Sequence, residues 1–238
     1  MILDIKNLSK AFHNGQKQVL KNINLSIEDG QIFGLVGLNG IGKTTMIKLI
    51  IGLLFIDEGE IFIDGVNCED FSAKNKFCYL PERFQPSQHL TGMEFLDIFC
   101  GFFDKKITIE QAREMCDKID LDKEVLYMRT SECSKGMGQK LGLISAFLSD
   151  AKLLILDEPM SGLDPKSRIM VKNIMLEYKN KGNTIFFSSH ILADIDEICN
   201  EIAILHKADI IFKGTCDKFK SIYSKNNLES AFLDAIKD

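Results

Sequence analysis

Two hydrophobic rhythms run along this chain. Over residues 19–27, Ile23, Leu25 and Ile27 alternate with Asn22, Asn24 and Ser26, the period of a half-buried strand. Ile2, Leu3 and Ile5 open a shorter strand, and Ile61-Phe62-Ile63 runs into Asp64-Gly65, a hairpin signal. The first ~70 residues therefore predict an antiparallel β layer joined to the start of a parallel one. Unbroken apolar runs follow a different logic. Ile32-Phe33-Gly34-Leu35-Val36, Leu153-Leu154-Ile155-Leu156 and Thr184-Ile185-Phe186-Phe187 read as strands buried on both faces. Phe77-Cys78-Tyr79-Leu80 reads as a strand ending at Pro81.

Between these strands the period turns helical. Residues 91–148 carry three stripes: Met93, Phe95, Leu96, Phe99 and Phe103; Ile109, Ala112, Met115, Cys116 and Ile119; Leu141, Ile144, Phe147 and Leu148. Core packing accounts for all three without a cofactor. Residues 166–179 predict a helix burying Met170, Val171, Ile174 and Met175, and residues 191–198 a short one. Residues 202–205 and 210–212 predict a closing β pair around Ala208-Asp209, and residues 228–237 a weakly amphipathic tail. No internal repeat or low-complexity linker interrupts the pattern. The expectation is one domain over 1–238 with two lobes: a β/core lobe at about 1–85 and 150–215, a helical lobe at about 86–149, and a C-terminal tail at about 216–238.

Composition narrows the partners. With 238 residues, 45% hydrophobic and 26% charged, the chain is long enough for a sizeable core. A net charge of -5 and a pI near 5.5 supply no general basic field, so no nucleic-acid partner is expected. The seven cysteines are odd in number and contain no C-x-x-C pair, which predicts reduced, mostly buried thiols rather than a disulfide framework or zinc site. Lys6 and Asp4 place charge where a signal peptide would be apolar. The longest apolar run, 49–56, is too short to span a membrane, so work at a membrane would need another chain to supply the spans.

The candidate chemistry begins at Gly37-Leu38-Asn39-Gly40-Ile41-Gly42-Lys43-Thr44-Thr45, set between an apolar run and the helix-periodic Met46-Ile47-Lys48-Leu49-Ile50-Ile51. This is G-x-x-x-x-G-K-[ST] in a strand–loop–helix context, a phosphate loop. Its glycines let successive N–H groups turn toward phosphate oxygens, and the following helix adds its positive end. Lys43 can neutralise β- and γ-phosphates, and the Thr44 hydroxyl can sit on Mg²⁺. The bland alternative is a Gly-rich βα turn with an incidental lysine. A second constellation answers the first: the strand 153–156 delivers Asp157 and Glu158 to a sheet edge where ligands bind. Asp157 can hold Mg²⁺, and Glu158 can orient or deprotonate an attacking water.

Three more pieces occur in order: Cys133-Ser134-Lys135-Gly136-Met137, Ser161-Gly162-Leu163-Asp164-Pro165 and Ser188-Ser189-His190. Together the five motifs resemble the nucleotide-binding subunit of an ABC transporter, over about residues 2–215. The resemblance implies an α/β fold: a P-loop NTPase core of mixed and parallel sheet, an N-terminal antiparallel β subdomain and an inserted helical lobe. It implies ATP and Mg²⁺ as ligands and an ATPase cycle in which two subunits close head to tail around two nucleotides. Phe12 matches the aromatic that stacks on adenine; the loop residues Asn39, Gly40, Ile41, Gly42, Lys43, Thr44 and Thr45 match the phosphate cradle. Ser134 and Gly136 match the signature that covers the other subunit's γ-phosphate, Asp164 the residue coupling the two sites, and His190 the γ-phosphate switch. Ordinary core roles are the alternatives for Phe12 and His190.

The chain also departs from the family pattern. Leu38 and Ile41 stand where Pro and Ala are usual, and C-S-K-G-M replaces L-S-G-G-Q. The Ser-Lys-Gly-Met form resembles the branch that pairs with separate membrane subunits for export. Glu82 replaces the strand-end glutamine, still able to reach Mg²⁺ through an oxygen, with Gln85 and Gln88 as rivals. The aromatic-rich stretch from Glu82 to Phe103 resembles the surface that receives a cytoplasmic helix of the membrane subunit. The expected partners are thus a second ATP-binding subunit, as a homodimer, and an integral-membrane subunit, with the chain peripheral at the cytoplasmic face of the cell membrane. The rival is a soluble ABC-type ATPase acting on a non-membrane complex. Only about 50 residues separate Glu82 from Ser134, too few for the long coiled-coil insertion that DNA-acting members carry.

Overall fold

Each buried strand divides its side chains between two cores. In the strand Leu153–Asp157, Leu153 and Ile155 pack into one cluster, and Leu154 and Leu156 into the other. Side chains alternate across a strand, so a run apolar at every position is what two covered faces require. The computed structural model describes residues 1–13 and 15–237.

In chain order, β1 (Leu3–Phe12), β2 (Lys17–Ile27), β3 (Ile32–Val36) and α1 (Lys43–Ile50) lead to the hairpin β4 (Glu58–Ile63) and β5 (Val66–Asn67), then β6 (Phe77–Leu80). The helices α2 (Gly92–Gly101), α3 (Ile109–Lys118) and α4 (Lys135–Leu148) follow. The core resumes with β7 (Leu153–Asp157), α5 (Pro165–Asn180), β8 (Thr184–Ser189), α6 (Leu192–Ile198), β9 (Glu201–His206) and β10 (Asp209–Gly214). The chain closes on α7 (Cys216–Ile222) and α8 (Leu228–Ala235). A four-stranded antiparallel sheet has the order β2-β1-β4-β5, and a six-stranded sheet has the order β10-β9-β3-β8-β7-β6. All neighbours in the larger sheet are parallel except β9 and the edge strand β10.

The helix α1 lies in the core shared by the two sheets. Its Met46, Ile47, Leu49 and Ile50 join Phe33, Leu35 and Phe186 of one sheet and Ile5, Leu8 and Ile61 of the other. The opposite face of the six-stranded sheet carries α2–α6. There Gly34 is a packing necessity: an added Cβ would stand 2.7 Å from Ile195 Cδ1, so only a bare backbone lets α6 approach. The helices between β6 and β7 start on local chemistry. Thr91–Glu94 and Thr108–Gln111 form capping boxes at α2 and α3, and the Ser134 hydroxyl caps α4.

The α/β architecture expected from the runs is present, with differences at its margins. The strand opened by Ile2 runs on to Phe12, because Lys10, Ala11 and Phe12 continue to pair with β2. The β9–β10 turn falls on Lys207-Ala208 (φ 45 and 68), one residue earlier than the expected Ala208-Asp209. Helix α7 is not visible as a period. It buries only Cys216 and Phe219, the latter against Phe212 and Tyr223, while the rest of its seven residues are mostly polar. All seven cysteines are free thiols, and five of them are buried.

Candidate functional site

The loop between β3 and α1 is shaped by what its glycines exclude. At Gly37 a Cβ would lie 2.8 Å from the Leu205 carbonyl oxygen and 2.9 Å from Ile41 Cγ2. Gly42, with φ 125, is the N-cap of α1 and caps it without a side chain, leaving the first amides of the helix for another acceptor. The loop borders a cavity of about 260 Å³ lined by Asn39, Gly40, Gly42, Lys43, Thr44 and Thr45, and across from them by Glu82, Glu158 and His190. Residues from the ends of four strands, β3, β6, β7 and β8, are thereby brought to one place.

Lys43 is 6% exposed. Its Nζ donates to the Gly37 carbonyl at 2.8 Å and lies 3.4 Å from Glu158 Oε1. The other oxygen of Glu158, Oε2, stands 2.8 Å from His190 Nδ1 and accepts from the His190 backbone N–H at 3.3 Å. One carboxylate thus bridges the lysine of the loop and the histidine after β8. Glu158 itself has φ 48, in the left-handed region. That turn takes Glu158 out of the strand alternation, in which it and Asp157 would face opposite ways. The Glu158 N–H donates to Ser188 Oγ at 2.9 Å, and Ser188 Oγ donates to Asp157 Oδ1 at 2.6 Å. Ser188 belongs to a motif visible in the sequence, but nothing there separates it from Ser189. Only the β7–β8 register, which sets Asp157 beside Ser188, gives it this place.

Not every expected residue meets here. Asp157, 2% exposed, lies outside the cavity lining, tied to Ser188. Ile41 turns its side chain to the apolar cluster around α1, as does the half-buried Phe12, whose ring also lies 5.5 Å from Lys10 Nζ. Glu82 lines the phosphate-loop cavity, whereas its rivals Gln85 and Gln88 line a second cavity of about 410 Å³ together with Ser134 and Lys135. A Cβ on Gly136 would meet nothing within 4 Å. Asp164 is the N-cap of α5, accepting from the Ser167 N–H at 3.0 Å. The Ser167 hydroxyl and N–H hold its carboxyl below the usual carboxylate range.

The donor set bears on a metal. Among the described residues no three His, Cys, Asp or Glu side chains converge to hold an ion by themselves. The phosphate-loop cavity nevertheless offers oxygen donors in Thr44 and Glu82, with the Asp157 carboxylate next in sequence to Glu158 and linked to its N–H through the Ser188 hydroxyl. Two lining carboxylates, Glu82 and Glu158, face one lysine, so a polyphosphate entering this space needs a cation to balance it. Mg²⁺ suits that set, because it takes one or two protein oxygens and completes its shell with substrate phosphates and water.

Comparisons with known proteins agree with the geometry. The model of the ABC transporter family matches residues 20–161. A protein of Nostoc sp. described as an uncharacterized ABC transporter ATP-binding protein is 38% identical over 222 residues, covering 89% of this chain and 66% of its own length. The chain spans a little under two thirds of the length of this relative and of a second one, at 63%, from Synechocystis sp.. A solved ATP-binding subunit of an ABC transporter is 31% identical, with TM-score 0.86, over 98% of this chain and 99% of that one. The dimeric ATP-binding cassette MJ0796, solved with ADP and Pi, shares the fold at TM-score 0.80 and 21% identity, over 90% and 98% of the two chains.

Proposed function

We propose, because the chain belongs to the ABC transporter family as an ATP-binding subunit, that it hydrolyses ATP to power an exporter whose membrane-spanning subunits are separate chains. The observation that carries this reading is the convergence of Lys43, Glu158 and His190 on the cavity of the phosphate loop. Lys43 and the loop amides hold the β- and γ-phosphates, with Phe12 against the base. Glu158 takes a proton from the attacking water, and His190, hydrogen-bonded to Glu158, contacts the γ-phosphate. Thr44, Asp157 and Glu82 would hold Mg²⁺, which when bound neutralises phosphate charge.

The cavity includes no residue of α4, and Ser134 opens on a different one. That separation supports the reading in which Ser134 and Gly136 serve the nucleotide of a second copy and Asp164 couples the two sites. Two copies close on ATP, and hydrolysis reopens them. The membrane subunit docks along 82–103, where Phe102 and Ile98 are exposed. No helix among the described residues is long and apolar enough to cross a membrane, which suits peripheral attachment at the cytoplasmic face. Export rests on the Ser-Lys-Gly-Met form of the signature.

The test is direct. Lys43→Ala should lose ATP binding, and Glu158→Gln should bind ATP, stop turning over and run as a dimer on sizing. Parent-rate hydrolysis by Glu158→Gln, or unchanged nucleotide binding by Lys43→Ala, would remove the basis of the reading.

A further inference from the structure

Ser188 is wholly buried at the end of β8, and none of the expected roles uses it. A serine hydroxyl has one proton to give and lone pairs to receive. Here the proton goes to Asp157 Oδ1 at 2.6 Å, and a lone pair receives the Glu158 N–H at 2.9 Å. Both contacts cross from β8 to the end of β7, where the sheet register sets Ser188 beside Asp157.

Each contact meets a specific need. Glu158 holds φ 48, a left-handed conformation that is unfavourable for a residue with a Cβ. Its buried N–H has left the strand ladder, and unpaired it would add a desolvation penalty. The Ser188 hydroxyl satisfies that N–H and so holds the turn that brings Glu158 into line with Lys43 and His190. At Asp157 the same hydroxyl takes up Oδ1. Oδ2 is then the oxygen with no protein donor among the described residues. A carboxylate pinned at one oxygen presents the other in a fixed direction, which is how an outer hydrogen bond raises the affinity of a metal ligand.

We propose that Ser188 is a positioning residue for the ATPase site, setting with one hydroxyl both the remaining oxygen of Asp157, which the reading above gives to Mg²⁺, and the strained turn of Glu158. The proposal rests on the reading of Asp157 and Glu158 given above. It concerns this chain's own residue: valine or alanine would fill the same buried position in the strand and leave both contacts unmade.

The experiment measures Mn²⁺ binding by electron paramagnetic resonance in the presence of a non-hydrolysable ATP analogue, alongside turnover and Tm. For Ser188→Ala we expect Mn²⁺ affinity to fall roughly ten-fold or more, the range typical of losing an outer hydrogen-bond partner. At saturating Mg²⁺, kcat should fall while KM for ATP stays near the parent value. Ser188→Thr, which keeps the hydroxyl, should recover metal affinity and kcat together. Ser188→Cys, with nearly the same volume and a weak donor, should fall between alanine and parent. Alanine with Mn²⁺ affinity and kcat within two-fold of the parent would overturn the proposal. So would a loss that tracks Tm alone across the three variants. Asp157→Asn in the same assay separates the two readings. If it leaves Mn²⁺ affinity unchanged, the role of Asp157 itself fails; if it abolishes affinity while Ser188→Ala does not, only the role of Ser188 fails.

Discussion

Glu158 Oε1 lies 3.4 Å from Lys43 Nζ, and both side chains are almost wholly buried. A phosphate approaching Lys43 therefore meets a lysine already paired with the carboxylate proposed to activate water. Binding must exchange one anion for another in a site that screens charge poorly. Glu158→Gln should consequently tighten ATP binding while lowering turnover by about 10²–10⁴-fold, the usual contribution of a general base. Titration with a fluorescent ATP analogue checks the first effect. Weaker binding by the glutamine variant would show that the pair assists binding.

Phe12 ends β1 beside Lys10, half-buried against the core around α1. If its outer face receives the base, Phe12→Ala should weaken ATP roughly ten-fold, within the ~1–3 kcal/mol range of base–aromatic stacking. Phe12→Tyr should bind like the parent. Equal loss of affinity for ATP and for inorganic triphosphate would assign Phe12 to packing.

Gly142 lies within α4 against β6 and the segment after it. A Cβ there would stand 2.5 Å from Phe84 Cδ1 and 2.9 Å from Leu80 Cδ1. Gly142→Ala should therefore destabilise the fold by about 1–3 kcal/mol through overpacking. Thermal unfolding measures it, and Gly136→Ala is the control, since its site meets nothing within 4 Å. The two substitutions should differ in Tm; identical shifts would mean that Phe84 moves aside freely.

Burial pushes the thiols of Cys78 and Cys100 up from 9.0 to about 12. In the fold they stay protonated, while in the unfolded chain they ionise above about 9. The unfolded state therefore gains as pH rises between those values: stability is full below about pH 9 and is lost toward about pH 12. Tm should fall over that interval, and Cys78→Ala should shallow the slope. At neutral pH, alkylation of the native protein should start at the half-buried Cys133 and leave Cys78 and Cys100 unmodified. Rapid labelling of all seven would contradict the burial.

What could be read from the residues depended on whether a signal was local. The run 153–156 states in four residues that both its faces are covered, and the two cores on either side of β7 agree. Glycines, lysine and threonine at fixed spacing mark a phosphate loop without reference to the rest of the chain. The partnership of Glu158 with Lys43 and His190 is different in kind, since it depends on residues 115 and 32 positions away meeting at one sheet edge. The role of Ser188 over Ser189 depends on register, which two adjacent serines cannot announce. Helix α7 escaped because two buried residues, Cys216 and Phe219, in a seven-residue helix are too few to establish a period.

The order β3-β8-β7 has a consequence for how the molecule comes to exist. The strand that joins the phosphate loop to the acidic pair is made after both of them, at Thr184–Ser189. A nascent chain that has emerged as far as residue 161 holds the loop and both acids, yet lacks the strand between them. Such a chain leaves both edges of β3 and one edge of β7 without their partners, and has no means of setting Lys43 against Glu158. The capacity to hold nucleotide thus arrives late in synthesis and all at once, in the slow regime of folding governed by distant contacts.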